Sequence, residues 1–169
     1  MGYTRSQISW IGLRLSLGFM FLWAFLDKLI GLGFSTCLDK TTHVTTVLCK
    51  SAWLSGGSPA TGFLNFGTTG PLKPLYVFLA NSMPLVTDVL FMAMLLVIGL
   101  TMITGIEMKR GAYIGVLLTL MMWSALLFPA NNPIIDDHVV YLFAFLVLAS
   151  SNADEFFSLK KKAAKGRRR

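Results

Sequence analysis

The stretch NNPIIDDHVVYLFAFLVLA, which begins at Asn131, sets Asp136, Asp137 and His138 side by side ahead of an apolar run that carries Tyr141. On a helix Asp137 and Tyr141 stand four apart and His138 and Tyr141 three apart, so carboxylate, imidazole and phenol share one face. Such a trio can move protons. Ionisable groups beside membrane-grade hydrocarbon are costly, and are kept for capping, ion pairing or chemistry. Capping is the plainer alternative. Asn132 suits an N-cap with Pro133 at the first helical position, and the helix dipole favours carboxylates in the first turn by about 0.3–1 kcal/mol. That would account for Asp136 better than for Asp137 and His138, which lie deeper.

The elements that would hold these residues follow from composition. The chain has 169 residues, 54% hydrophobic and 14% charged, with a mean hydropathy of +0.65. Soluble domains carry roughly a quarter charged residues, so an all-α integral membrane protein is expected. The apolar run 8–32 is about as long as a spanning helix and no small-residue cleavage pattern follows it, so it reads as a retained helix. Spans are expected over about 10–30, 85–106, 112–128 and 134–151. They would form a single four-helix transmembrane domain over 1–159, followed by a basic cytoplasmic tail at 160–169. The net charge of +7 is concentrated there, with seven basic residues in KKKAAKGRRR. Such a tail reads as a topology anchor beside anionic lipid, not as a nucleic-acid reader.

The connectors GIEMKRG and PANNP are short enough to impose antiparallel neighbours. Between the first two spans lies a loop of about 33–84, too apolar and aromatic to be a solvated linker. Its turn-rich part, SGGSPATGFLNFGTTGP, is expected to fold back over the bundle, with PLYVFLAN as a short interfacial helix. Lys and Arg near the helix ends put both termini in the cytoplasm and the long loop outside. On that side Cys37 and Cys49 are expected to form a disulfide. Two unpaired thiols are the alternative, since sequence does not give their separation, and C-x-x-C redox spacing is absent.

Alternating helix directions then bring Asp27 and Lys28, Asp88, and Asp136, Asp137 and His138 to one level beneath the loop. Two readings are open for this set: a polar cap that fastens loop to bundle, or a functional site. At the opposite end Arg14 and Glu107 are expected to pair. Gly111 and Gly115 have the small-xxx-small spacing of close helix approach. Met121, Met122 and Trp123 read as lipid-facing or core filler, and Trp10 as an interface anchor. No metal site, haem, iron–sulfur cluster or phosphate loop is expected from the few histidines and cysteines.

The first-helix pattern LRLSLGFMFLWAFLDKLIGLGF, the loop element WLSGGSPATGFL and NNPIIDDHVVY, in that order, resemble the DoxX/DoxD family of small four-helix membrane proteins. The resemblance runs over about residues 11–148. It implies a prokaryotic cell-membrane protein, in some members the membrane subunit of a thiosulfate:quinone oxidoreductase that works with a second, small subunit. The family has no settled catalytic set, so Asp136, Asp137, His138, Asp27 and Lys28 carry over as motif positions only.

Two functions are therefore weighed. In the first, the chain passes electrons from a reduced sulfur compound to membrane quinone. Asp137, His138, Tyr141 and Asp136 would be the catalytic candidates, and Lys28, Asp27, Asp88 and Trp23 would line the quinone and substrate site. In the second, it is a non-catalytic accessory subunit of a larger membrane complex, and the same acids with Lys28 fasten the loop. An ion or solute carrier is disfavoured, because the midplane is nearly free of charge.

Overall fold

The computed structural model describes residues 3–130 and 132–159; the basic tail at 160–169 lies outside them. The protein is all-helical. Among the described residues there is no strand, only an isolated antiparallel bridge between Leu38 and Thr45 in the long loop.

Helix α1 (Arg5–Ile30) starts at a capping box, in which Thr4 accepts from the Gln7 amide and the Gln7 side chain returns to the Thr4 amide. It stops at Gly31, whose φ of +76° is open to glycine at little cost. The short helix α2 (Lys73–Ser82) is the one expected in PLYVFLAN. Pro84 opens α3 (Pro84–Thr104), and Gly105 at φ +71° ends it. After a tight turn comes α4 (Met108–Ala125), and the longer connection 126–136 leads to α5 (Asp137–Ser150).

α1 packs along α3, α3 against α4, and α4 along α5. Glycines set the closest approaches. A Cβ on Gly99 would stand 2.7 Å from Leu22 Cβ, and one on Gly115 2.7 Å from the Phe145 ring. Gly111 meets Thr101 as closely, so Gly111 and Gly115 are the packing positions their spacing suggested. An edge-on contact between Phe21 and Phe145, centroids 5.4 Å apart, brings α5 back to α1. Residue 18 lies against 102 and 103, and residue 22 against 99, so α1 and α3 run antiparallel. Met92, Leu95, Ile98, Met102, Leu118, Phe145 and Leu148 form the shared core.

Two of the four expected spans, α1 and α3, are long and apolar enough to cross a membrane. Only 22% and 33% of their most apolar stretches are buried, so each helix gives one stripe to the core and presents the rest of its hydrocarbon outward. α5 is shorter than the stretch 134–151 suggested. At 14 residues it extends about 21 Å, against a hydrocarbon core of about 30 Å. The reason is its cap. Asp136, not Asn132, accepts the His138 and Val139 amides, while Asn132 Oδ1 closes a preceding turn onto the Ile134 and Ile135 amides.

The expected Arg14–Glu107 pair does not form. Arg14 is fully buried and donates to three carbonyls, Ala153 at 2.9 Å, Phe156 at 3.0 Å and Phe157 at 2.7 Å. Glu107 instead meets Arg110 at 3.3 Å on the surface. The guanidinium fork satisfies the Phe156 and Phe157 carbonyls beyond α5 and joins the Phe156 amide at the Ala153 carbonyl.

Candidate functional site

The antiparallel packing gathers the end of α1, the start of α3 and the start of α5 at one end of the molecule, as the spacing predicted. The polar residues there form three separate groups, not one.

The first group joins α1 to the loop. Asp27, 1% exposed, accepts the amides of Phe34 and Ser35, each at 3.0 Å, and the Ser35 hydroxyl at 2.7 Å. Lys28 donates to that same hydroxyl at 3.2 Å. Two residues on, Cys37 is joined to Cys49 in a disulfide with Cα atoms 5.7 Å apart. The expected bond is therefore present. Between the cysteines, Asp39 accepts the Thr41 and Thr42 amides at 2.7 and 3.0 Å, and these amides hold its carboxylate below the usual range.

The second group joins α3 to the loop. Asp88 accepts the Ser58 hydroxyl at 2.6 Å and the Ala60 amide at 2.9 Å. Both buried acids thus turn to the loop that covers them, with backbone amides as the principal donors.

The third group stays on α5. Asp136 Oδ2 lies 2.7 Å from His138 Nδ1, and the His138 ring stands edge-on to Tyr141, centroids 6.4 Å apart. The carboxylate of the expected trio is therefore Asp136. The Asp137 side chain is exposed and makes no hydrogen bond or ion pair among the described residues. Asp136 already serves as the cap, which aims its other oxygen at the imidazole.

Beneath the loop, bounded also by α2, α3 and α4, lies a half-open chamber of about 890 Å³. Lys28 is the one charged residue among the described residues that line it. Ser35, Thr36, Cys37, Ser51 and Ser58 join it from the loop, and the loop partners of Asp27 and Asp88 thereby form part of the chamber wall. Leu79, Phe91, Met94, Leu118, Met121, Met122 and Ala125 supply apolar walls from the helices. Tyr76 on α2 donates to the Met121 carbonyl at 2.9 Å and shares a hydrogen bond with the Ser124 hydroxyl, which holds α2 against α4. An apolar chamber with a few convergent polar groups suits an amphiphile that has a polar head.

His138, Tyr141 and Asp136 do not line this chamber, and neither does Trp23. Trp23 stacks on Phe19 at 5.6 Å and meets Phe34 edge-on at 5.1 Å, forming an aromatic clasp between α1 and the loop. Met121 and Met122, expected as filler, are wall residues. Sequence reasoning did not single out Ser35, Ser58 or Tyr76. The serines of SGGSP and the phenol of PLYVFLAN were the only signals for two of them. Among the described residues, no three His, Cys, Asp or Glu side chains gather as a metal-binding group.

No family model matches the chain, and no curated protein or solved structure matches it.

Proposed function

We propose that this chain is an integral membrane protein that binds quinone in the chamber beneath its loop, as the membrane subunit of a DoxX/DoxD-like quinone-linked oxidoreductase whose electrons come from a reduced sulfur compound such as thiosulfate. The observation that carries this reading is the chamber itself, with apolar walls and the single charge of Lys28. A quinone head needs hydrogen-bond donors at its carbonyl oxygens, and its tail needs apolar cover. Lys28 and the loop hydroxyls meet the first need, and the leucines and methionines of α2, α3 and α4 meet the second. The chamber falls within the roughly 300–1,000 Å³ of small-molecule sites. Membrane residence is supported by α1 and α3 and by apolar side chains that face outward, such as Phe19, Leu85 and Phe143. The loop faces outside and the termini the cytoplasm, as the basic residues near the helix ends favour.

In this reading Lys28 binds a quinone carbonyl oxygen. It also supplies positive potential that draws an anionic donor to the loop end. The Asp136–His138 pair, with Tyr141 beside it, lies at the same end of the molecule but outside the chamber, and in that trio Asp136 replaces Asp137 as the carboxylate.

A second reading, a non-catalytic accessory subunit of a larger membrane complex, is favoured by one observation. Asp27 and Asp88 direct their hydrogen bonds to the chain's own loop. Purification in mild detergent separates the two. The oxidoreductase reading expects extractable quinone that is lost in Lys28→Met while the protein remains in the membrane. Quinone-free protein in a fixed-stoichiometry complex would favour the accessory reading.

A further inference from the structure

Cys37 lines the chamber together with Lys28 and Ser51, and its sulfur sits against the end of α1, where a Cβ on Gly31 would overlap it. The Ser51 amide donates to Cys49 Sγ at 3.4 Å. Cys37 therefore belongs to a wall of the proposed quinone site, and its bonded partner Cys49 has an N–H aimed at its sulfur. Positive potential from Lys28 at this end of the chamber favours thiolate over thiol.

We propose that Cys37 and Cys49 form a two-electron relay between a small anionic sulfur donor and quinone, a role that rests on the quinone-binding reading above. The donor's sulfur attacks Cys37 Sγ, the Cys37–Cys49 bond breaks, and Cys49 leaves as a thiolate that accepts the Ser51 amide. A second donor attacks the donor sulfur attached to Cys37, a donor–donor S–S bond forms, and Cys37 is released as a thiolate. Two donors have now lost one electron each, and the cysteine pair holds both. The pair then passes these electrons to quinone, its S–S bond re-forms, and the quinone takes up two protons to become quinol. The relay gives the chain a redox centre of its own.

The test uses the full chain in detergent, with binding of decylubiquinone first measured on the oxidised protein. The protein is then reduced, freed of reductant and mixed with decylubiquinone without oxygen. Quinol is read by absorbance and free thiols by maleimide mass shift. The expected result is about one quinol formed for each pair of thiols lost, and no quinol from the Cys37→Ser, Cys49→Ser variant. Bound quinone with both thiols still free would overturn the relay and leave the quinone site standing. Failure of the oxidised protein to bind quinone would overturn both. If the double variant does not fold, the thiol count on the unaltered protein still decides.

Discussion

The Ser35 hydroxyl donates to Asp27 at 2.7 Å and accepts from Lys28 at 3.2 Å, so one loop side chain joins two neighbouring residues of α1. This contact fixes where the loop leaves the helix and holds the Lys28 ammonium at the chamber wall.

Asp27→Ala should cost about 2–4 kcal/mol, because it removes a charged acceptor and leaves the Phe34 and Ser35 amides without partners. Ser35→Ala should cost about 1 kcal/mol, the worth of one hydrogen bond. Thermal unfolding in detergent ranks the two. Equal stability of Asp27→Ala and the unaltered protein would remove the fastening role.

Arg14 holds the turn after α5 by three carbonyls. Arg14→Met should cost at least about 2 kcal/mol and expose residues 153–158 to rapid hydrogen exchange. Arg14→Lys should not restore protection, since an ammonium lacks the planar fork that reaches these acceptors together. Full protection in Arg14→Lys would show that charge alone suffices.

Gly115→Ala would drive a methyl into the Phe145 ring, and should lower stability by about 1–3 kcal/mol. Gly12 has nothing within 4 Å of its Cβ position, so Gly12→Ala should be neutral or stabilising by up to about 1 kcal/mol. Paired melting curves give the comparison. A destabilised Gly12→Ala beside an unaffected Gly115→Ala would contradict the α4–α5 register.

Acid should loosen the disulfide-bound loop. The Thr42 and Thr41 amides lower the Asp39 carboxylate in the folded chain. A depressed carboxylate contributes stability that is complete above its unfolded value, about 3.9, and disappears as pH falls through the lower folded value. Proteolysis within 38–45 should therefore rise below about pH 4, and Asp39→Asn should remove that dependence. A pH response retained in Asp39→Asn would point to another group.

Connectivity was legible in the sequence because it rests on local signals. GIEMKRG is too short for anything but an antiparallel turn, and PLYVFLAN has a proline at its start and an apolar face; the connection from α4 to α5 runs over 126–136, longer than PANNP alone suggested. The placement of Asp27, Asp88 and Asp136 at one end follows from helix direction alone. Their partners do not. Asn132 and Asp136 are both good caps four residues apart, and only the fold of the connector decides between them. Asp27 and Asp88 look like members of one charged cluster until Ser35 and Ser58 are seen to satisfy them, and loop serines carry no pattern. Arg14 and Glu107 seem matched in depth, but the carbonyls beyond α5 are invisible to residue types. The chamber depends on how α2 spaces the loop from α3 and α4, which is tertiary packing.

Quinone binding in the chamber, through Lys28 and an apolar wall, underlies the proposed function. It is tested most directly by titrating the purified chain with decylubiquinone, alongside Lys28→Met and the chamber-filling Met94→Trp. Saturable binding that falls at least about tenfold in both variants, equivalent to about 1.4 kcal/mol, is the predicted result. Identical, non-saturating uptake by all three proteins, as expected for quinone dissolved in the micelle, would contradict it.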